Sequence, residues 1–556
     1  MLCMVLGVWA QNVPESVTST YALTDVTVVK APGQSQAGMT VIIKDGLIQA
    51  VGKNVKIPFD AKPIKADSMY VYAGFISGAA YVGVPKPKEE EQRRPRRSEI
   101  RNPNNPSNAD AGIQPDRSVR DLLKADDKSI DELRKLGFTA AQVLPRGRML
   151  PGKGSLIFLA GDNAKEMIAQ EDISLFASFS GSSKGVYPST VIAVMSKLRD
   201  LYHQAEQAKA HSETYANSSN GMRRPNTDPV MEAFFPLIDG KQRLHMRASN
   251  PKEVSRALAL QEELGYKLGL YNLTQSLDYS PRLKDVDLYL SLALPKAKKE
   301  DKKKTAEEDE EKKEPTAAEK EMEMLEARRA KSMATREAYA KDLDAKGMAF
   351  GFSTAGVKAK DIRPNLKRMI DAGLSPDKAL AALTTQPAKM LGIDDVVGTV
   401  EKGKVANLMV ADAPYFEEGA NVRYVFVDGK IFEYKAKPKK KKKTGEGDAA
   451  DEAAIKKVEG DWTYNINAMG QQMNGKLTFD YEDGSWSGVM SDPTGEDDPT
   501  DLSDVEVDGS TITFTLDMQG MTIEFELEVD GTNYDGTASV GAMGSFEITG
   551  KRDPNF

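Results

Sequence analysis

The chain has 556 residues and a formal net charge of -8. That length calls for several domains, or for one large α/β domain with attachments. The acid balance, with no aromatic-studded basic face, argues against a nucleic-acid partner. No apolar run is long enough to span a bilayer.

In chain order, residues 1–11 come first, an apolar stretch from Met1 with the small residue Ala10 before the expected cut. It reads as a signal-peptide-like segment without its basic start, so export, to the periplasm, is expected. The only cysteine, Cys3, falls inside it, and the remainder can form no disulfide. Residues 18–70 alternate apolar and polar positions through Val26, Val28, Val41, Ile43 and Leu47. These predict short strands, with Asp45-Gly46 as a hairpin turn. Val71 to Gly83 predicts one short buried strand bounded by glycines. Residues 86–118 are rich in Lys, Glu, Arg, Pro and Asn and predict an exposed excursion. Its Arg93-Arg94-Pro95-Arg96-Arg97 cluster reads as a solvated loop.

From Asp121 the pattern turns α/β. Helices are expected over Ile130–Leu136, over 188–218 with Pro188-Ser189-Thr190 opening the element, and over Glu253–Leu264. Strands are expected at Gly137–Pro145, Ser155–Leu159 and Tyr266–Tyr271. Alternation of this kind predicts a parallel barrel. Residues 295–345 predict a charged insertion, a disordered tract followed by a solvated helix. Ser375 and Pro376 open a further helix as N-cap and first turn. Residues 436–457 predict a lysine-rich linker. Beyond it, Ile512, Phe514 and Leu516, then Ile523, Phe525, Leu527 and Val529, alternate with polar residues. Residues 458–556 therefore predict a C-terminal antiparallel β-domain with one wet face.

The run from Gly46 to Gly83 resembles the opening of the amidohydrolase superfamily, in its imidazolonepropionase-like branch. So does Ile370–Leu380 followed by Thr384–Gly392, Gly398–Val410 and Val425–Lys430, which is similar to that family's C-terminal run. The resemblance implies a (β/α)8 TIM-type barrel over residues 71–396, with a small composite β-sandwich domain from 18–70 and 397–435. It implies hydrolysis of non-peptide carbon–nitrogen bonds by metal-activated water.

Carried over position by position, the family's ligand positions hold other residues here. Ala79 and Tyr81 stand for the first-strand histidines. Phe158 stands for the bridging lysine, and Asn272 for a later histidine. Thr354 stands for the catalytic aspartate. His245 alone keeps a ligand type, and a lone histidine at a strand end is more often a hydrogen-bonded structural residue. The chain has 3 histidines in all, too few for an ordinary binuclear site. His203 and His211, eight apart on one helix, are not spaced as a chelating pair. Gly152-Lys153-Gly154 reads as a strand-entry turn.

These residues predict a metal-free, non-catalytic protein with no cofactor. Its expected partners are an active amidohydrolase relative or a small molecule in the barrel mouth. The alternative is an active hydrolase with zinc in a reduced or rearranged site around His245. A third reading makes the C-terminal β-domain the functional module.

Overall fold

The computed structural model describes residues 20–86, 102–161, 163–182, 186–295, 317–435 and most of 455–553. The signal-peptide-like segment, the Arg93–Arg97 cluster, the tract before Ala317 and most of the 436–457 linker lie outside the described residues. The chain divides into two compact units at residues 439 and 440.

The first unit opens with β1 (Thr20–Ala31), β2 (Gln34–Lys44), β3 (Leu47–Gly52), β4 (Lys62–Ile64) and β5 (Tyr70–Ala73). The hairpin between β2 and β3 turns at Asp45 and Gly46, both at positive φ, as an Asp-Gly pair permits. The barrel follows with β6 (Phe75–Ala80), β7 (Phe138–Val143), β8 (Gly152–Phe158) and β9 (Ile168–Ala177). It continues with β10 (Arg243–Arg247), β11 (Leu268–Leu273), β12 (Asp287–Ser291) and β13 (Gly351–Ser353). The chain then returns through β14 (Leu408–Ala411), β15 (Val422–Val427) and β16 (Lys430–Glu433) to the first sheet.

Two expectations change here. The run from Val71 is two strands, not one. The Gly74 N–H donates to the Asn407 carbonyl in the first sheet, and the next N–H, of Phe75, donates to Gly137 at the barrel. A side chain at Gly74 would lie 2.2 Å from Thr139, so only glycine fits the crossing. The composite β-domain is one continuous sheet, ordered β16-β15-β14-β5-β1-β2-β3 with β4 beside β1, rather than a sandwich of two sheets. One face buries Val26, Val41, Val71, Leu408 and Phe426. The other face sends Tyr72, Met409 and Val425 into the barrel's core.

The barrel also departs from a strict (β/α)8 pattern. Its eight strands run in order from β6 to β13, and Ala355 and Thr354 N–H groups donate to the Ala79 carbonyl across the seam between β13 and β6. Strand β8, however, is antiparallel to both β7 and β9. The link from β7 to β8 carries no helix, and that from β11 to β12 has only the 3-10 turn Leu277–Arg282. Two excursions are more ordered than expected. Ser107 caps a short helix, Asn108–Ala111, after which Ile113 and Val119 enter the core. The charged helix Ala317–Ala345 is exposed over most of its described side chains, but its last turns bury Tyr339, Ala340 and Leu343.

Inside the barrel, large rings lie against glycines. A Cβ at Gly78 would sit 1.9 Å from the Tyr289 ring, one at Gly269 2.0 Å from the His245 ring, and one at Gly154 2.4 Å from Phe176. Barrel interiors are filled by side chains in layers, and here missing side chains on some strands make room for rings from others.

The second unit is a meander of β17 (Gly460–Ala468), β18 (Gln471–Glu482), β19 (Ser485–Ser491), β20 (Thr500–Asp501) and β21 (Ser503–Asp508). It goes on through β22 (Thr511–Met518), β23 (Met521–Asp530), β24 (Asn533–Ser539) and β25 (Ser545–Lys551). Strand β25 pairs back onto β17, and Leu502 N–H donates to Gly488 O where β19 and β21 approach. Trp462, Phe479, Phe514, Phe525 and Leu527 fill the inside, while Glu524, Glu526 and Glu528 face water.

Two measurements check this packing. The Tyr289 hydroxyl is buried without a hydrogen-bond partner among the described residues, so Tyr289→Phe is expected to raise unfolding stability by about 1 kcal/mol. Gly78→Ala is expected to lower it by about 2–3 kcal/mol, both read by urea unfolding. Residues 455–556 produced alone are expected to melt cooperatively with a β-type circular dichroism spectrum. A featureless melt would separate this segment's stability from its own core.

Candidate functional site

The C-terminal ends of the parallel strands gather five of the six sequence-derived positions. Ala79 is fully buried among Leu144, Phe176, Tyr271, Tyr289 and Ala355, with Tyr81 packed against the same group. Tyr81 lies two residues beyond Ala79, and Arg247 two beyond His245. A period of two puts each pair on one side of its strand.

Phe158 is not brought to this cluster. Because β8 runs backwards, Phe158 pairs with Ala140 in the first half of β7, while Ser155 pairs with Val143 at its end. Phe158 packs instead beside Ile76, Leu156, Ala388 and Ile393. The family pattern places this position at the catalytic end of the barrel only if the strand is parallel.

His245 is 2% exposed. Its ring stacks on Phe176 with centroids 5.3 Å apart and lies 5.7 Å from Tyr289. Nδ1 is 3.5 Å from the Gln142 side-chain nitrogen, and that nitrogen also donates to Ser174 Oγ. Nε2 has no hydrogen-bond partner among the described residues and faces the Gly269 backbone. Burial pushes the imidazole down to about 3, with the nearby Arg243 charge adding to the effect. The ring is therefore neutral across the ordinary pH range.

Asn272 and Thr354 are engaged in closing the barrel. Asn272, at φ 57, donates from Nδ2 to the Ala355 carbonyl at 3.2 Å, and its Oδ1 lies 2.7 Å from Ser353 Oγ. Thr354 Oγ1 is 2.9 Å from Ser77 Oγ, and its N–H donates to the Ala79 carbonyl at 3.0 Å. The hydroxyls and amide at these positions thus stitch β6, β11 and β13 together.

The mouth above this layer is cationic. The Arg146 guanidinium lies 4.3 Å over the Tyr81 ring, and its Nε donates to the Val84 carbonyl at 2.9 Å. Burial raises the Tyr81 phenol, while Arg247 and Arg146 oppose the rise. Arg247 is exposed. The sequence reading named none of Gln142, Arg146, Phe176, Arg247, Tyr271 and Tyr289 as site residues. The signal for Arg247 was its two-residue offset from His245.

These residues do not fit a hydrolytic divalent metal. Such a site commonly takes three protein ligands and an open water position. Here the positions offer a methyl, a phenol under two cations, an amide and a hydroxyl held in the seam, and an imidazole packed between rings. Among the described residues no three His, Cys, Asp or Glu side chains gather as a metal-binding group. Two guanidinium ions would also repel a dication. The other histidines lie on the outer side of the helix Val191–Asn217, where His203 is 2.9 Å from Glu206 and His211 3.0 Å from the Arg223 carbonyl. Lys153 pairs with Asp172 at 2.5 Å.

Comparison with known proteins fits the geometry. Residues 293–432 match the profile of the amidohydrolase family. No curated protein matches the sequence. An amidohydrolase structure from Thermotoga maritima MSB8 is similar with a TM-score of 0.60 at 19% identity, covering 74% of this chain and 100% of that one. A putative prolidase from Bifidobacterium longum gives 0.43 at 15% identity, over 76% and 96%. An N-acetylglucosamine-6-phosphate deacetylase from Pasteurella multocida gives 0.36 at 12%, over 75% and 100%. At a TM-score of 0.60 the first of these likenesses shows that the first unit has the fold of an amidohydrolase, and the family profile covers residues 293–432 of it.

The buried neutral imidazole carries a pH signature. A histidine whose folded pKa is depressed contributes stability above its unfolded pKa of 6.5, and that stability is lost as pH falls toward about 3. Between pH 7 and pH 5 the protein is expected to lose about 2 kcal/mol from this group. Asp287 works the other way. Burial raises its carboxyl to about 6 against the lowering effect of Arg243, so its contribution is lost as pH rises from the ordinary carboxylate range through about 6. Urea titrations at several pH values check this. A His245→Gln variant should lose the acid-side slope and Asp287→Asn the opposing one.

Proposed function

We propose that this chain is an exported amidohydrolase-superfamily protein whose barrel binds without hydrolysing. It is similar in pattern to the imidazolonepropionase-like branch and descends from hydrolases of non-peptide carbon–nitrogen bonds. One observation carries the reading. The positions that would hold ions at the strand ends are occupied by Ala79, by Tyr81 beneath Arg146, and by Asn272 and Thr354 bonded into the barrel seam. Activating water near neutral pH takes a metal or a poised base, and a neutral, ring-packed His245 supplies neither at the mouth. In this reading the protein acts in the periplasm as a binding subunit, beside an active relative.

Elemental analysis of the purified protein should find substoichiometric zinc and manganese, and assays on amide and cyclic imide substrates should show no turnover above background. About one zinc per chain, with a carbon–nitrogen hydrolase activity that disappears in a folded His245→Gln variant, would overturn it.

A further inference from the structure

Donors without matching acceptors crowd one spot at the barrel mouth. The Arg146 guanidinium is half-buried and pinned by the Tyr81 ring on one side and the Val84 carbonyl at Nε. No ion pair or further protein hydrogen bond reaches its two terminal nitrogens among the described residues. Arg247 stands at the end of β10 with no ion pair among those residues, its charge acting on the phenols of both Tyr81 and Tyr271. Among the described residues the carboxylate whose charge acts on Arg146 is Asp127, and that side chain accepts from the Ser129 N–H and hydroxyl at 2.9 and 2.5 Å.

Holding a guanidinium partly out of water without a counter-charge is costly. Elsewhere the fold gives such groups acceptors at their terminal nitrogens or a carboxylate, as with Arg368 on Glu337 at 2.6 Å, Arg243 on Asp287 at 2.9 Å, and Arg363 on the carbonyls of Ala420, Tyr415 and Glu417. At the mouth it leaves two guanidinium groups beside two phenols, all able to donate. The ring they share is Tyr81, which packs against the buried cluster of Leu144, Phe176, Tyr271 and Tyr289.

From this placement we infer that the mouth binds the carboxylate of a small organic acid, held between Arg146 and Arg247 with its apolar body against Tyr81. Planar guanidinium forks match a carboxylate edge to edge, and an aromatic wall favours an acid with a hydrophobic body over a bare inorganic anion. Seated on the packed ring layer, the ligand closes off the barrel without entering it. The inference rests on the non-hydrolytic reading above, since it needs the mouth free of a metal.

Benzoate is a suitable probe, with benzamide as its uncharged analogue and inorganic phosphate as an anion without a ring, titrated into the full chain by calorimetry and thermal shift. Benzoate should bind and raise the melting temperature, and benzamide and phosphate should bind at least about tenfold more weakly. Arg247→Met, at an exposed position, should keep the melting temperature of the free protein and lose about tenfold in benzoate affinity. Arg247→Lys should recover part of it. Equal affinity for benzamide, preference for phosphate, or unchanged benzoate binding in Arg247→Met overturns the inference. Each titration is repeated after exhaustive chelation. Binding that vanishes with the chelator shows a metal holding the ligand and defeats both readings. Chelator-resistant, Arg247-dependent binding in a protein that nevertheless hydrolyses substrate upholds this inference and defeats only the non-hydrolytic one.

Discussion

The first unit depends on rings lying where side chains are missing. Tyr289 crosses the barrel interior against Gly78 and Gly351, His245 covers Gly269, and Phe176 covers Gly154. Each contact joins a strand carrying a ring to one that has given up its own side chain. Interiors pack at near-crystalline density, so a ring and its glycine must change together or not at all. Because the rings meet one another as well as the backbone, they form a solid layer under the strand ends. Everything above that layer is shallow, and everything within it is shielded from water.

The shielding explains the electrostatics. A charged imidazole between Phe176 and Tyr289 would be costly, so burial keeps His245 neutral. The carboxyl of Asp287, at the opposite end of the strands, is raised by the same cause. Near the layer Ser77, Asn272, Ser353 and Thr354 bond to one another and to the backbone, whereas the Tyr289 hydroxyl has no partner among the described residues. Charge is displaced to the rim, where Arg146 and Arg247 keep contact with solvent.

Much of this was legible in the residues, and the failures have physical reasons. Asp45-Gly46 turned as its backbone chemistry requires, and Ser375 caps its helix by accepting from Lys378 N–H. The alternation from Thr511 to Val529 predicted which side chains face inward. Alternation does not encode strand direction, so the antiparallel course of β8 was not expected in a parallel barrel, and with it Phe158 lies apart from the other matched positions. Nor does it say which sheet a residue joins, so the change of partners at Gly74 was invisible. Tyr339 looked solvated because its neighbours are charged; its burial comes from distant parts of the fold, including Ser276, which bonds its hydroxyl. Arg247 was not singled out in the sequence, and what sets it apart is that it makes no ion pair among the described residues.

The change of partners at Gly74 also sets an order of assembly. Strand β5 ends the N-terminal portion of the first sheet, yet its neighbour on one side is β14, with Tyr72 opposite Met409. During synthesis every barrel strand emerges before that neighbour exists. At about 5–20 residues per second the edge of β5 waits on the order of tens of seconds, offering unpaired backbone groups to any passing strand. The hairpins from β1 to β3 can form at once, but their sheet stays open on that side. This architecture therefore gives the newborn chain a long interval of vulnerability to mispairing, which ends only when the last segment of the first unit folds back to its beginning.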